Sequence, residues 1–389
     1  MIPLLPWAAT SVVFAGSTAL VGVAVTLYDA GLWRSRWFVL SLAAVWLPTA
    51  LGLVLWRADS QALAAFGVDV TWFLLPLFAL GGVAMLLAAP VHRLLGVMAR
   101  RSARTARSAR AGSRRQFLRQ AAAVLPASAV AAGAAAMTGN DATKIVHVPL
   151  SFRDLPPALH GLRILHLSDL HLGAGRTSAD LGALLDSLRP EPPDLIVLTG
   201  DVADKLEELE AALTLVTRFA PRLGVYAALG NHEYLNDIEE MRPAYLRSSV
   251  RLLVNESASV SLGDATLFLA GVDDPVFMGH ARAFYERAVA ECAVAAPAQA
   301  FRLLLCHRPE GFEPAARHGF HLTLSGHTHG GQVGLLGRSA FEVLFGMPYL
   351  WGQYRRGESR LYTTSGFGHW FPFRLNCPAE APIITLRRA

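Results

Sequence analysis

The sequence predicts an α-helical membrane module followed by an α/β domain. Two observations carry this prediction. The first third of the chain contains three long uncharged apolar runs, and the second half contains five short apolar runs, each followed by a block rich in Asp, Asn or His. We predict residues 1–115 as a membrane module with three transmembrane helices and a basic cytoplasmic loop, residues 116–140 as a fourth transmembrane segment or signal anchor, and residues 141–389 as the α/β domain.

The three long runs have the length of membrane spans. They are Trp7–Leu27, Trp37–Trp56 and Val70–Val91, with 21, 20 and 22 residues, and a spanning helix needs about 20. Tryptophans lie at or near their ends, as they do at the headgroup layer of a membrane. Helices that are apolar on every face, three times in succession, favour membrane spans over the buried helices of a soluble domain.

A fourth apolar stretch, Ala121–Gly139, is mostly alanine and follows the basic segment Ser113–Arg119. This segment, Ser-Arg-Arg-Gln-Phe-Leu-Arg, resembles a twin-arginine export signal, whose apolar region is typically mild. The alternative is a plain basic flank on the cytoplasmic side. The order of the residues favours the signal, and the alanines at 134–136 would offer a signal peptidase a cleavage site.

The arginines predict the topology. Residues 96–119 contain eight arginines and no acidic residue. By the positive-inside rule this stretch is cytoplasmic, so the chain is a multi-pass protein of the cell membrane with its α/β domain on the extracytoplasmic side. Without these eight arginines the net charge changes from +5 to −3. The positive charge therefore belongs to the membrane flank, and we expect no nucleic-acid partner; protein partners stay open.

The five short apolar runs read as buried strands. They are Ile164–Leu167, Leu195–Leu198, Val225–Leu229, Leu303–Leu305 and Leu322–Leu324. The polar residues that follow them are, in order, Asp169 and His171; Asp201 and Asp204; Asn231, His232 and Glu233; His307; and His327 and His329. Ligands at the carboxyl ends of strands converge on one edge of a sheet, so we expect these side chains to meet there.

The spacing of the first three blocks suits strand–helix–strand units. Asp169 and Asp201 are 32 residues apart and Asp201 and Asn231 are 30 apart, and one such unit takes about 30 residues. The intervening segments Ser178–Leu188 and Leu206–Phe219 carry apolar residues at helical spacing. We therefore predict a crossover helix in each.

The residue types suit a pair of divalent metal ions. Carboxylates neutralise the two charges and one carboxylate must bridge them, while imidazoles suit Zn and Fe and carboxylate and carbonyl oxygens suit Mn. Such ions lie about 3.5–4 Å apart and lower the pKa of a shared water from 15.7 towards roughly 7, which makes a metal-bridging hydroxide that can attack phosphorus. The predicted cofactors are two divalent metal ions (Mn, Zn or Fe), and the predicted reaction is hydrolysis of a phosphoester.

From Ile145 to the C-terminus, the five blocks in this order resemble the calcineurin-like metallophosphoesterase superfamily. The string Gly326–Gln332 (GHTHGGQ), the segment Gly271–Pro275 and the tail Arg374–Leu386 are similar to one bacterial branch. That branch contains exported, membrane-associated phosphodiesterases and enzymes similar to UDP-2,3-diacylglucosamine pyrophosphatase. The resemblance implies a layered β-sandwich flanked by helices.

The resemblance also implies a role for each polar residue. The implied ligands are Asp169, His171 and His329 for the first ion and Asn231, His307 and His327 for the second, with Asp201 bridging. His232 would protonate the leaving group or stabilise the transferring phosphoryl group, and Asp204 would orient His232. Glu233 is interpreted as a support for these ligands, and Asp273 and Asp274 as a turn before Pro275.

The predicted function is hydrolysis of a phosphodiester or pyrophosphate, lipid-linked substrates included, at the extracytoplasmic membrane surface. The alternative is a membrane-linked phosphomonoesterase or a protein phosphatase in signalling; the complete ligand set disfavours a non-catalytic homologue. The segment Leu335–Trp351 is apolar and has two interpretations, ordinary packing or a surface that meets lipid. The residues proposed for that surface are Phe345, Tyr349 and Trp351, with Trp370 as a second choice.

Overall fold

The computed structural model describes residues 143–275, 281–369 and 374–389. The four apolar stretches, the arginine pair at 114–115 and Trp370 lie outside these residues, so the predictions made for them stay predictions. Within the described ranges no helix combines the length and the apolar character needed to cross a membrane.

The described residues alternate strands with helices. The strands are β1 Lys144–Phe152, β2 Arg163–Leu167, β3 Leu195–Thr199, β4 Val225–Ala228, β5 Arg251–Leu252, β6 Glu256–Leu262, β7 Ala265–Gly271, β8 Phe301–Leu305, β9 Leu322–Ser325, β10 Gly334–Leu335, β11 Arg338–Ser339, β12 Gly352–Arg356, β13 Ser359–Thr363 and β14 Glu380–Arg388. The helices are α1 Ser178–Ser187, α2 Leu206–Phe219, α3 Asn231–Leu235, α4 Ile238–Arg247, α5 Ala281–Val294, α6 Phe312–Arg317 and α7 Ala340–Phe345. Short 3₁₀ turns lie at Pro157–Leu159, Pro309–Gly311 and His329–Gln332.

The strands form two mixed six-stranded sheets, in the orders β1-β14-β2-β3-β4-β5 and β12-β13-β9-β8-β7-β6. The sheets pack face to face, and the core between them contains Ile164 and Val197 from the first sheet and Leu267 and Leu303 from the second. Helices α1, α2 and α4 cover the outer face of the first sheet, and α5 and α6 cover that of the second. The predicted α/β fold with layered sheets is confirmed for the described part of the chain.

One expectation was wrong: the strands that precede the polar blocks do not belong to one sheet. β2, β3 and β4 are parallel neighbours in the first sheet, whereas β8 and β9 are parallel neighbours in the second. The polar blocks therefore converge at one edge of the sandwich rather than at one edge of a single sheet. A sequence pattern sets which residues are buried, but pairing between distant strands decides which sheet each strand joins.

The two crossover helices lie where the apolar spacing predicts them. The predicted range Leu206–Phe219 matches α2, and α1 ends one residue before the predicted Leu188. At the start of α1 the Thr177 backbone amide donates to the Asp180 carboxylate at 2.8 Å, which satisfies one of the free amides of the first turn. α2 ends where Ala220 adopts a left-handed conformation, with φ of 54°.

Strand β1 begins at the same edge of the sandwich as the polar blocks. β1 runs parallel to β14, with Lys144 opposite Glu380, and β14 runs antiparallel to β2, with Ile383 opposite Leu165. The amino-terminal ends of β1 and β14 therefore lie beside the carboxyl end of β2, which leads into Asp169. The described part of the chain thus starts next to the candidate site.

Candidate metal centre

The structure brings all seven predicted ligands together, with His232 and Asp204 beside them. Three groups of side chains place potential ligand atoms within 4.8 Å of one another: Asp169, His171 and His329; Asp201, His307 and His327; and His171, Asp204 and His232. The first two groups are the two sets that the resemblance implies, without Asn231. That amide joins the second set, because its Oδ1 lies 3.1 Å from His307 Nε2.

The first group is compact and fully buried. His329 Nε2 lies 3.4 Å from Asp169 Oδ1 and 3.3 Å from His171 Nε2. The rings of His171 and His329 stack, with centroids 5.2 Å apart. Nδ1 of His329 is buried and has no hydrogen-bond partner among the described residues, so packing rather than a hydrogen bond holds this ring.

The second group is more open. His307 Nε2 lies 3.2 Å from His327 Nδ1, and His307 Nδ1 donates to the Thr199 carbonyl at 2.7 Å. That hydrogen bond directs His307 Nε2 towards Asn231 and His327. Asn231 and His327 are partly exposed, whereas each member of the first group is buried.

Asp201 lies between the two groups. Its Oδ2 is 3.2 Å from His307 Nε2 and 3.8 Å from His171 Nε2. Its Oδ1 accepts a hydrogen bond from the His232 backbone amide at 2.8 Å. One carboxylate oxygen therefore faces an imidazole of each group, which is the position that a bridging ligand requires.

Five of the predicted ligand residues have a left-handed backbone. The φ angles are 52° at Asp169, 46° at His171, 51° at Asp201, 65° at His327 and 49° at His329. This region is uncommon for residues other than glycine, although Asp and His adopt it more readily than most. Strands β2, β3 and β9 are thus each followed by a sharp turn at the ligand residues.

Two motif glycines are required because side chains approach their Cα atoms closely. A Cβ atom at Gly326 would collide with the Asp169 carboxylate and the Ser168 hydroxyl, and one at Gly230 would collide with the Asp201 carboxylate. Gly326 lets polar blocks from the two sheets approach each other, and Gly230 does the same for two neighbouring blocks of the first sheet.

Glu233 supports Asp201, as the sequence predicted. Its buried carboxylate accepts hydrogen bonds from the backbone amides of Asp201 at 3.0 Å, Val202 at 2.9 Å and Gly230 at 2.8 Å. It also accepts one from the Tyr245 hydroxyl at 3.2 Å. Burial raises the pKa of Glu233, and the negative charge of Asp201 raises it further.

Asp204 contacts two imidazoles. Its Oδ1 accepts a hydrogen bond from His232 Nδ1 at 2.7 Å, as predicted, and its Oδ2 lies 3.2 Å from His171 Nδ1, which the sequence did not reveal. Both rings therefore direct Nε2 away from Asp204. A third donor, Asn236 Nδ2, lies 2.9 Å from Oδ1.

A buried ion pair beside the second group was missed. Arg308 Nε donates to Asp274 Oδ2 at 2.7 Å, and Arg308 Nη1 lies 2.7 Å from His327 Nε2. The interpretation of Asp274 as a turn residue was therefore incomplete, because its carboxylate is buried against a guanidinium. The signal available in the sequence was the position of Arg308 directly after His307.

The charges in the centre are strongly coupled. Burial raises the pKa of Asp169. Burial would also raise the pKa of Asp201, but the charge and hydrogen bond of His307 lower it well below its usual range. Burial would lower the pKa of His307, yet Asp201 raises it to about 10. Burial, with the nearby charges of His307 and Arg308, lowers the pKa of His327 to about 2.

The residues fit a pair of divalent ions. Asp169 is buried with a raised pKa, so its ionised form lacks sufficient positive partners within the protein, and a cation would supply them. Asp201 raises the pKa of His307, which favours a proton on this ring that a divalent ion would replace, since ligands must be deprotonated. Carboxylates with several imidazoles form a donor set for Zn, Fe or Mn.

His232 lies next to both groups without being in either implied ligand set. Its ring contacts His171 edge to face, with centroids 4.4 Å apart, and its side chain is 24% exposed. Burial would lower its pKa, but the hydrogen bond to Asp204 and the charge of Asp201 raise it to about 9. A protonated imidazole reachable from solvent beside the centre suits an acid or an electrostatic stabiliser.

Comparison with known proteins gives consistent results. Residues 162–331 match the family model described as calcineurin-like phosphoesterase. A protein of Danio rerio named "Transmembrane protein with metallophosphoesterase domain" is 33% identical over 260 residues, which are 63% of this chain and 58% of that protein. An uncharacterized metallophosphoesterase of Campylobacter jejuni is 31% identical over 252 residues, 64% of this chain and 65% of its own length. Another, of Bacillus subtilis, is 27% identical over 286 residues, 71% of this chain and 98% of its own length. The match therefore spans less than two thirds of the first two relatives.

Proposed function

We propose that this chain, whose residues 162–331 match the calcineurin-like phosphoesterase family model, is a phosphoric ester hydrolase that cleaves a phosphodiester or pyrophosphate at the extracytoplasmic face of the cell membrane. The observation that carries the proposal is the convergence of two potential ligand groups on Asp201, with the partly exposed His232 beside them. Two divalent ions bound there would supply Lewis acidity and an activated water.

The protein's own residues then have separate tasks. Asp169, His171 and His329 would hold the first ion at a buried site. Asn231, His307 and His327 would hold the second at a more open site, and Asp201 would contribute to both. Asp204 holds Nδ1 of His232, so Nε2 is the nitrogen that can give a proton to a leaving oxygen. The open side of the second group is the side from which a phosphoester can approach.

The substrate assignment is tested on the purified full-length chain. Metal is removed by chelation, and Mn, Zn or Fe is added back during assays with bis-p-nitrophenyl phosphate, p-nitrophenyl phosphate and a lipid pyrophosphate in vesicles. We expect metal-dependent hydrolysis of the diester or the pyrophosphate. Preferential hydrolysis of the monoester would support the alternative of a phosphomonoesterase or protein phosphatase, and equal rates with and without metal would contradict the two-metal mechanism.

The membrane location rests on the apolar runs and on the relative named as a transmembrane protein. The extracytoplasmic orientation rests on the arginines of residues 96–119. A topology reporter fused after Ala389 distinguishes the two sides of the membrane. Activity of a cytoplasmic reporter there would contradict the orientation.

The export route gives a sharper test. Arg114→Lys combined with Arg115→Lys preserves the positive charge, so any effect reports recognition of the arginine pair itself. We expect the double substitution to block translocation of the catalytic domain, measured by protease accessibility in spheroplasts. The matched control replaces Arg104 and Arg107 with lysine outside the motif. Unimpaired export of the double variant would show that the pair serves only as cytoplasmic charge.

A further inference from the structure

Exposed apolar side chains concentrate in one segment, residues 334–347, which we call the apolar cap. The cap consists of the β10–β11 hairpin, α7 and the turn after it. Its exposed large apolar side chains, with their exposed fractions, are Leu335 37%, Leu336 87%, Phe341 38%, Val343 43%, Leu344 63%, Phe345 71% and Met347 49%. Exposed apolar patches of this kind mark surfaces that meet a protein, a ligand or a membrane.

The apolar cap lies directly against the metal centre. Phe341 packs on Gly331, so closely that a Cβ atom there would lie 2.5 Å from the Phe341 ring, and Gly331 follows His329 by two residues. After the cap, the Leu350 carbonyl accepts a hydrogen bond from the Thr328 hydroxyl at 2.5 Å. The middle of the cap and the residues that follow it therefore both contact the loop that carries His327 and His329.

The Glu342 side chain connects the cap to the residues that follow it. Glu342 accepts a hydrogen bond from the Leu350 amide at 2.7 Å, contacts the Tyr354 hydroxyl and pairs with Arg338 at 3.2 Å. On α7, Val343, Leu344 and Phe345 are exposed. The two charged side chains of the cap, Arg338 and Glu342, pair with each other, so the cap presents an apolar surface without net charge.

The described part of the chain begins at the same edge of the sandwich. The Lys144 amide donates to the Ala379 carbonyl at 2.9 Å, and Glu380 accepts a hydrogen bond from the Trp351 indole at 3.3 Å. The Glu380 amide donates to the Gly366 carbonyl at 3.0 Å, and Gly366 touches His329. In the sequence, the predicted apolar stretch Ala121–Gly139 directly precedes the strand that begins at this edge.

We propose that the apolar cap inserts into a lipid surface and holds the opening of the metal centre at the headgroup layer. The inference rests on the proposed function and adds the residues that would contact lipid: Leu336, Leu344, Phe345 and Met347. Lipid is chosen over a protein partner because the described chain begins at this edge, directly after the segment predicted as a membrane span, and because the exposed side chains of the cap are mostly apolar. The sequence-based candidates Tyr349 and Trp351 are not the contact residues, since both are half-buried and their polar atoms bind Glu313 and Glu380.

The first test measures insertion and needs no catalysis. Cys292, Cys306 and Cys377 are buried, so a cysteine introduced at the surface can be labelled selectively with an environment-sensitive fluorophore. Leu336→Cys, Phe345→Cys and the control Val294→Cys are made in the full-length chain; Val294 is 87% exposed on α5, away from the cap. Each is placed in phosphatidylethanolamine–phosphatidylglycerol nanodiscs, with and without nitroxide-labelled lipids.

We expect the probes at 336 and 345 to shift to the blue and to be quenched by nitroxide lipids, and the probe at 294 to stay unquenched. Quenching no greater at 345 than at 294 would overturn the proposal. A blue shift without lipid quenching would also overturn it and would indicate that a protein, such as a second copy, covers the cap.

The second test uses activity and separates this proposal from the proposed function. Leu344→Ser with Phe345→Ser removes two apolar contacts, and Leu246→Ser on α4 is the control, because Leu246 is 70% exposed away from the cap. We expect the double variant to raise KM for a lipid phosphoester in vesicles about tenfold and to leave hydrolysis of the soluble diester unchanged. Equal loss on both substrates would overturn the proposal, whereas an unaltered chain without phosphoesterase activity would overturn the proposed function instead.

Discussion

The two ligand groups of the metal centre differ in how they are held and in what can reach them. Asp169, His171 and His329 are buried together, and packing positions the ring of His329. In the second group hydrogen bonds and an ion pair position the rings: Thr199 holds His307, and Arg308 contacts His327. The comparison shows that the first group is closed to solvent, whereas the second reaches the surface through Asn231 and His327.

The largest effect is expected where the two groups share a residue. Asp201→Asn removes the charge that serves both ions, so both should be lost, and the rate should fall by roughly 10³–10⁵, the loss of several kcal/mol of transition-state stabilisation. Metal content by mass spectrometry and turnover are measured together. Asp186→Asn on α1 is the control, because Asp186 is exposed and distant in the fold. Two retained metals with near-normal turnover would show that Asp201 does not bridge.

The next effect should separate chemistry from metal binding. His232→Ala should retain both ions, because His232 belongs to neither implied ligand set, and should lower turnover by roughly 10²–10⁴, the range for a general acid. The loss should shrink with a leaving group that needs no protonation, measured on a series of aryl phosphodiesters. If good and poor leaving groups suffer equally, His232 is not the acid, although it can still stabilise charge.

A smaller and selective effect is expected at the second group. Asp274→Asn leaves the Arg308 guanidinium uncompensated beside His327, and this positive charge should lower affinity for the second ion by roughly 10–100-fold. The first ion should bind as before in calorimetric titrations that resolve the two sites. Asp273→Asn is the matched control, because Asp273 accepts its hydrogen bond from Tyr234 rather than from Arg308. An equal loss of affinity for both ions would show that the two ligand groups are not distinct sites.

The smallest effect is expected at the first group, where packing is the constraint. Gly366→Ala adds a methyl group 2.9 Å from Asp169 Cβ and 3.1 Å from His329 Nδ1, so affinity for the first ion should fall by roughly tenfold. Gly161→Ala is the control, since Gly161 has the same φ of 83° and nothing within 4 Å. Any loss of stability common to both variants reports backbone strain. A weakened second ion with an intact first would reverse the assignment.

Much of the centre could be predicted because its residues directly follow apolar runs. The run Leu195–Leu198 and the block after it locate β3 and Asp201, and helix α2 follows from apolar spacing alone. The division of the strands between two sheets could not be predicted, since it depends on pairing such as that of β14 between β1 and β2. The ion pair of Arg308 with Asp274 joins residues 34 positions apart, and no local pattern reports it.

The apolar cap shows the same division between local and distant information. Aromatic character pointed to Phe345, Tyr349 and Trp351; the fold leaves Phe345 exposed and partly buries the other two. Exposure is greatest at Leu336, an aliphatic residue that the search for aromatic side chains did not find. The ligand assignments, the domain boundaries and the extracytoplasmic orientation stay predictions until the experiments above are done.

The left-handed backbone at five ligand positions places backbone strain in the centre. Such backbone angles cost of the order of 1–3 kcal/mol each when little compensates them, and they coincide here with buried carboxylates. Bound ions should therefore increase the thermal stability of the protein as well as support turnover. An ion that binds only the folded chain stabilises it by mass action. The free concentration of metal around the protein would then set the fraction of chains that stay folded on heating.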